Sequence, residues 1–214
     1  MRRQFTVMMS LVFLLVFFCL GLAAEEVPPA GAIQAAEKGI ARFPSAIPGQ
    51  TALVNAKLQN GFQVYTVSPT ELMESSNIGS IIVPTGVWRF VVLSNDQPAA
   101  LITVQQVNGQ WTAVSMGGAA LAVEMNKVME KWSQTDGYTH RFVRIYQARA
   151  DFVEISRASA EREPGFVPLT SSRVALGITG QFDPQTVIYN SEFITSLKEI
   201  VDSNVKMFIG SEQK

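Results

Sequence analysis

The sequence predicts an α+β domain built on an antiparallel β-meander sheet with helices packed on it. Three apolar segments between Val87 and Met116 are separated by Asn95-Asp96 and Asn108-Gly109, pairs that favour tight turns. Segments with apolar residues at helical spacing stand before and after this region. Strands joined by tight turns pair antiparallel, and helices kept apart from such a run of strands are typical of the α+β class.

The elements before the meander follow from apolar spacing and from proline and glycine. Apolar residues at helical spacing predict a first helix, which Pro44 ends. Asn60-Gly61 predicts a turn in front of an alternating strand, and the stretch before it is either a short helix or an irregular lead-in. In order, the predicted elements are a helix from Ile33 to Phe43, a strand from Phe62 to Val67, and a turn or helical start from Pro69 to Met73.

The meander and the back half are predicted in the same way. Gly117-Gly118 breaks the sheet, and an apolar stripe from Leu121 to Trp132 then predicts a helix that ends near Ser133. The meander strands are Val87 to Leu93, Ala99 to Val107 and Gln110 to Met116. Beyond the helix, the expected elements are Tyr138 to Ala148 and Asp151 to Ile155 as two strands or one bent strand, a charged loop from Ser156 to Gly165, an ambiguous stretch from Val167 to Gly177, and a last helix from Asn190 or Ser191.

Both faces of the predicted sheet are apolar. In the first meander strand Trp88 and Phe90 lie on one face, while Val91 and Leu93 lie on the other. A sheet that is apolar on both faces must be covered on both. We expect the helices to cover one face and a curled sheet, the terminal segments or a partner chain to cover the other.

The first residues have the order of a secretory signal. Arg2 and Arg3 precede an apolar run from Val7 to Leu22, and small residues up to Ala24 are followed by acidic Glu25. We therefore expect a signal peptide over residues 1–24, a linker over 25–30 and a single α+β domain over 31–214, exported to the exterior or the bacterial cell envelope.

Two alternatives to cleavage stay open. The apolar run is slightly short for a membrane span, but an uncleaved signal would tether the protein to the membrane. Acylation at Cys19 would make a lipoprotein, although Phe17 and Phe18 are bulkier than the residues that the lipoprotein peptidase accepts. No second apolar stretch is long enough to span a bilayer, so we expect no span in the mature chain.

Composition excludes several classes of function. Cys19 is the only cysteine, so the exported domain would have no disulfide, no cysteine nucleophile and no cysteine-bound zinc. The chain has 17 basic residues and 18 Asp and Glu residues, and two of the basic residues belong to the signal. The exported domain therefore carries more acidic than basic residues. That balance gives no electrostatic reason to bind nucleic acid.

The densest polar and aromatic stretch supplies the candidate binding residues. Tyr138, His140, Arg144 and Tyr146 share one face if the strand is regular. Guanidinium groups and aromatic rings suit a carboxylate or a polar polymer. We predict these four residues as a binding stripe, with an ordinary solvent-facing strand as the alternative.

The residues favour no catalytic site, metal or cofactor. His140 is the only histidine, and the sequence shows neither a nucleophile nor an orienting acid beside it. Asp151 and Glu154 are separated by an odd number of residues, so in a regular strand they point to opposite faces. Gly117-Gly118 lacks the further glycines and the lysine of a phosphate-binding loop.

One resemblance rests on the helix and the meander together. The residues from Trp88 to Val92 are WRFVV, and those from Asn108 to Trp111 are NGQW. Over Ile33 to Met116 the pattern resembles small exported bacterial modules of the cystatin-like or peptidase-propeptide type. The resemblance implies a fold and assigns no site residue.

These observations predict an exported, non-enzymatic domain that binds a protein, a peptide or a cell-envelope polymer. The first alternative is an exported hydrolase that uses carboxylates, or a serine paired with His140. The second is a structural homodimer that buries the second face of the sheet. A catalytic-type group within hydrogen-bond reach of His140 or Asp151 in a concave pocket would favour the hydrolase.

Overall fold

A computed structural model describes residues 27–43, 53–157 and 163–212 of the chain. The predicted signal peptide and Cys19 lie outside these residues. The strands are β1 (Lys57–Thr66), β2 (Val83–Ser94), β3 (Gln97–Val107), β4 (Gln110–Gly117), β5 (Tyr138–Ile145), β6 (Ala150–Arg157) and β7 (Gly165–Pro168). The helices are α1 (Ala30–Arg42), α2 (Pro69–Glu74), α3 (Ala119–Lys131), α4 (Thr170–Ala175) and α5 (Asn190–Glu212).

The described strands form one sheet in the order β4-β3-β2-β1-β5-β6-β7. All neighbours pair antiparallel except β1 and β5, which pair parallel. A single bridge from Phe166 to Ile188 adds one more position beyond β7. The predicted α+β class and the antiparallel meander are confirmed. The parallel pair arises because α3 carries the chain from the outer strand β4 back to the free edge of β1.

The meander turns behave as their residues predict. Asn95 and Asp96 have φ values of 50° and 60°, and Asn108 and Gly109 have φ values of 51° and 77°. Successive residues with positive φ form the turn that matches the twist of two antiparallel strands. β2, β3 and β4 therefore follow one another with only two residues at each connection.

The predicted turn at Asn60-Gly61 is wrong, because both residues lie inside β1. Leu58 pairs with Val92 and Gly61 pairs with Phe90, so β1 has one residue more than β2 over this interval and forms a β-bulge. A Cβ on Gly61 would lie 2.4 Å from the Phe90 ring. The glycine therefore admits a ring from the neighbouring strand, and β1 begins well before the predicted strand.

Helices cover both faces of the sheet, and on one face the cover comes from terminal segments of the domain, α1 and α5, which is one of the three covers expected for the second face. α1 packs on the face that contains Trp88 and Phe90, and α2 and α5 pack on the same face over β5, β6 and β7. α3 packs on the opposite face against Val91 and Leu101. We call these the α1 face and the α3 face. Apolar residues on both faces of β2 are thus buried within this chain, including Phe90 at 2% exposure and Val91 at 0%.

Beyond α3, the structure distinguishes between the alternatives that the sequence left open. β5 and β6 are two separate strands joined by a turn at residues 146–149. The ambiguous stretch after the charged loop divides into the end of β7 and the short helix α4. The last helix begins at Asn190, one of its two predicted starts, and its apolar residues Phe193 and Leu197 are buried. Within the described residues, no helix is long and apolar enough to cross a membrane.

Candidate functional site

The β5–β6 hairpin places two arginines opposite two acids. Arg141 pairs with Glu154, and Arg144 pairs with Asp151. The Nε and Nη2 atoms of Arg144 donate to the two carboxylate oxygens of Asp151 at 2.6 and 2.8 Å. Arg141 donates to both carboxylate oxygens of Glu154 in the same forked manner. Such forked pairs are the strong form of the ion pair, and here they hold two acids that are largely buried.

The two ion pairs lie on opposite faces of the sheet, as the odd separation of Asp151 and Glu154 predicted. Arg141 reaches the α1 face, where Nη2 also donates to the carbonyl oxygen of Gly79 at 3.3 Å. Arg144 lies on the α3 face, and its guanidinium carbon is 5.8 Å from the centre of the Phe142 ring. The hydrogen bonds that Arg144 donates to Asp151 raise the pKa of Arg144 above its usual value.

Arg89 approaches the same ring from another strand. Its guanidinium carbon is 5.7 Å from the centre of the Phe142 ring, so two cations share one aromatic side chain. Arg89 is half-buried, and among the described residues it forms no ion pair. Its Nε atom is buried and has no protein hydrogen-bond partner in that part of the chain. Burial lowers the pKa of Arg89 from its usual value, the nearby Arg144 lowers this pKa further, and the charge of Asp151 opposes part of the shift.

A groove opens beside the two arginines. Arg89, Thr103 and Ser115 lie directly opposite one another on three adjacent strands, so two hydroxyl side chains lead from the guanidinium towards the outer strand β4. The groove has a volume of about 280 Å³. We call it the arginine groove, and its lining includes Arg89, Thr103, Ser115, Gly117, Gly118 and Arg144.

The start of α3 borders the arginine groove. Gly118 precedes the helix with φ 70°, no side chain caps the helix, and its first turn contains no acidic residue. The first N–H groups of a helix have no partner within the helix and carry a partial positive charge. The groove therefore combines two guanidinium groups, hydroxyl donors and a helix start, and no acidic residue is among the described residues that line it.

The four predicted binding residues do not converge on one site. Arg144 lines the arginine groove, and His140 lines a separate cavity at the end of α3. Tyr138 lines a third cavity, with Trp132 5.1 Å from it between ring centres. Tyr146 is 52% exposed and lies in the turn after β5, so the expectation that it continues the strand face is wrong.

Within the described residues, the hydrogen bonds of His140 and Asp151 engage them mainly with a backbone carbonyl and with Arg144. The Nε2 atom of His140 lies 2.5 Å from the carbonyl oxygen of Trp132, and its Nδ1 atom has no protein partner among the described residues. Asp151 accepts a hydrogen bond from the Ser171 hydroxyl at 3.1 Å, but Arg144 already holds both of its oxygens. Both oxygens of this carboxylate are therefore engaged by the Arg144 guanidinium. Within the described residues, no group of three or more His, Cys, Asp or Glu side chains could hold a metal ion.

Arg89 and the hydroxyl side chains of Thr103 and Ser115 beside it were not predicted from the sequence. Arg89 stands inside the WRFVV segment, where its apolar neighbours favour a packing role. A signal was present, since Arg89 is the one charged residue in a strand whose two faces are otherwise apolar at its centre. An unmatched charge at such a position is informative because burial of a charge is costly.

Fold and geometry together define an α+β domain with a cationic groove on one face of its sheet. No protein-family model, curated protein or solved structure matches the chain. The resemblance to cystatin-like or propeptide modules therefore stays a prediction, and the function must be argued from the residues themselves.

Proposed function

We propose that the protein is an exported, non-enzymatic domain that binds a protein, a peptide or an envelope polymer through an anionic group held in the arginine groove. The observation that carries this proposal is Arg89, a half-buried cation without an acidic partner in the described part of the chain. Desolvation of this guanidinium is not offset by an ion pair within the described residues, and the Phe142 ring and the charge of Asp151 act against it only in part. An anionic ligand would supply the missing partner.

The local charge balance supports an anion rather than a neutral ligand. Arg89 and Arg144 are among the described residues that line the groove and no acidic residue is, while the nearby Asp151 is engaged by Arg144 through two hydrogen bonds. One positive charge therefore remains without a counter-charge. Carboxylates and phosphates suit a guanidinium because their oxygens accept two parallel hydrogen bonds. The hydroxyls of Thr103 and Ser115 offer further donors along the same groove.

The export route is part of the proposal and rests on residues 1–24. A positive start, an apolar run and small residues before Glu25 direct a chain out of the cytoplasm. Outside the cytoplasm, acidic peptides and phosphate-bearing polymers are the macromolecules that would present such an anion. Sequencing the N-terminus of exported protein tests this part, because we expect the chain to start at or next to Glu25.

The binding proposal is tested by calorimetric titration of the protein with three probes. These are inorganic phosphate, a short oligoglutamate peptide and a glycerol phosphate oligomer, which separate the anion itself from a peptide or polymer source. Arg89→Met removes the charge and keeps much of the side-chain length. We expect it to weaken anion binding at least about tenfold, since a hydrogen bond to a charged group contributes about 1.5–3 kcal/mol.

The matched control is Arg42→Met, which removes the same charge from the exposed last turn of α1. It changes the net charge of the protein equally, so we expect less than about a twofold change in affinity at moderate salt. Equal losses in the two variants would mean that only net charge attracts anions, and would contradict a site at Arg89. Failure of all three probes to bind would also contradict it.

A further inference from the structure

A second cavity lies at the opposite end of α3 and has a different chemistry. It has a volume of about 310 Å³, and its lining includes Gln59, Glu130, Ser133, Thr135 and His140. No arginine or lysine is among the residues that line it. We call it the histidine cavity. It shares no lining residue with the arginine groove, so inferences about the two cavities are independent.

The hydrogen bond of His140 fixes which ring nitrogen can accept. A carbonyl oxygen only accepts hydrogen bonds, so the Nε2 atom that contacts the Trp132 carbonyl at 2.5 Å must carry the proton. Nδ1 of the neutral ring is then an acceptor, and no described residue donates to it. Burial lowers the pKa of His140, although the Trp132 carbonyl opposes part of this shift, and His140 is only 9% exposed. The ring is therefore neutral near pH 7.

Gln59 supplies a second acceptor in the same cavity. Its Oε1 atom is buried and has no protein partner within the described residues. Gln59 lies in the bulged part of β1, between Leu58 and Gly61, where the strand departs from regular pairing. Buried acceptors without a protein partner are uncommon, because each loses its hydration on folding. Two residues that line this cavity each carry a buried acceptor without a partner in the described part of the chain, which favours a ligand rich in N–H or O–H donors.

The charge around the cavity favours a cationic donor. Glu130 lies in the last turn of α3 and lines the cavity, where its carboxylate already accepts a hydrogen bond from Asn126 at 2.8 Å. The end of a helix carries partial negative charge from its free carbonyl groups. Lys131 is in the same turn, but it is exposed and is not among the lining residues.

We propose that the histidine cavity binds a primary ammonium group, such as that of a lysine side chain or an amino terminus. An ammonium group has three donors and no acceptor. Nδ1 of His140 and Oε1 of Gln59 accept two of these donors, and Glu130 supplies the negative charge. The hydroxyls of Ser133 and Thr135, which contact each other at 2.7 Å, lie at the cavity wall and offer further acceptor oxygens.

The test uses the fact that His140 is the only histidine of the chain. The protein is labelled with ¹⁵N-histidine, and the imidazole nitrogen resonances are followed during titration with methylammonium chloride at pH 7.5. We expect a saturable shift of the Nδ1 resonance towards the position of a hydrogen-bonded nitrogen. Tetramethylammonium chloride is the matched control, because it carries the same charge without any N–H donor. We expect it to produce no saturable shift.

Two variants locate the binding. Gln59→Met removes one acceptor at similar size, and we expect it to weaken methylammonium binding about tenfold. Glu130→Gln changes an exposed side chain, so it should leave the fold intact and weaken binding about threefold. Arg89→Met must leave methylammonium binding unchanged, which separates this site from the arginine groove.

Three results would overturn the inference. Equal shifts with the two ammonium salts would mean that charge alone acts on the ring. A shift with zinc chloride and none with methylammonium would assign a metal site instead. No saturable shift with methylammonium would leave ordinary hydration of the two acceptors as the explanation.

Discussion

The two ends of α3 lie on the same face of the same sheet and present opposite chemistry. At its start are Arg89 and Arg144, which are donors with excess positive charge. At its end are His140 and Gln59, which offer acceptors beside the carboxylate of Glu130. The helix itself is positive at the first end and negative at the second. Side chains from β1, β2, β5 and α3 itself therefore reinforce the field of this helix rather than cancel it.

The two ends also differ in how the fold holds its polar groups. Arg144 is fixed by two hydrogen bonds to Asp151, and Asp151 is also held by the Ser171 hydroxyl at 3.1 Å. His140 is fixed by a single hydrogen bond to a backbone carbonyl. Arg144 beside the start of α3 is therefore held by charge pairing, while the histidine beside its end is a buried neutral ring. Substitutions and changes of pH should therefore affect these two regions differently.

The largest expected loss of stability comes from a substitution on the α1 face, which contains neither the arginine groove nor the histidine cavity. Trp88 is 3% exposed and packs under α1, so Trp88→Ala should lower the free energy of unfolding by about 3–5 kcal/mol. Chemical denaturation measures this loss. Where the variant is still folded, we expect phosphate and methylammonium binding to persist. A loss below about 1 kcal/mol would contradict the core position of Trp88.

Asp151→Asn should act on the arginine groove in two opposing ways. Removing one partner of a largely buried pair leaves Arg144 unpaired, so the free energy of unfolding should fall by about 3 kcal/mol. The groove then contains two unpaired guanidinium groups, so phosphate should bind more tightly than to the unmodified protein. Denaturation and calorimetry together check both parts. Weaker phosphate binding by folded Asp151→Asn protein would contradict the charge balance proposed for the groove.

Acid should lower the stability of the protein through His140, which lies near the end of α3. The folded-state pKa of His140 lies below its unfolded value of about 6.5 because the ring is buried. Between these two pKa values the unfolded chain binds more protons, so stability falls as the pH falls. One histidine contributes a slope of at most about 1.4 kcal/mol per pH unit.

The control for this pH dependence is His140→Gln, which keeps an N–H donor for the Trp132 carbonyl and does not titrate. We expect the difference in unfolding free energy between the two proteins to change with pH below about 6.5 and to be constant above it. Denaturation over a series of pH values provides the measurement. Parallel pH profiles for the two proteins would mean that His140 does not carry the effect.

The smallest effect is expected from Gly118→Ala. Gly118 has φ 70°, which costs a residue with a side chain about 1 kcal/mol, while the nearest atoms to its added Cβ lie 4.0 Å away. The new methyl group borders the arginine groove and not the histidine cavity. Calorimetry should therefore show weaker phosphate binding and unchanged methylammonium binding. The same loss for both probes would mean that α3 as a whole had moved.

Local patterns predicted those parts of the fold that depend on neighbouring residues. Asn108-Gly109 forms the turn between β3 and β4 because positive φ is a property of those residues alone. Asn60-Gly61 failed as a turn signal because Gly61 leaves space for the ring of Phe90. Phe90 lies on the neighbouring strand and is distant in sequence. The same dipeptide therefore has two meanings, and only the pairing of strands distinguishes them.

The candidate sites depended on long-range pairing and could not be predicted as units. Arg144 lies on the face of β5 that the alternation of residues predicts, but its partner Asp151 follows from the register of the hairpin. Arg89 reaches the same groove because β5 pairs parallel to β1 after the crossover through α3. Nothing in the residues around Arg89 indicates that pairing.

The anion site at Arg89 is tested most directly by following the arginine Nε–H resonances of ¹⁵N-labelled protein during titration with inorganic phosphate. We predict saturable shifts of the Arg89 Nε–H and of the backbone amides that follow Gly118 at the start of α3, with no comparable shift at exposed Arg42. Equal and unsaturated shifts at Arg89 and Arg42, or no shift at Arg89, would contradict the proposed binding of an anion in the arginine groove.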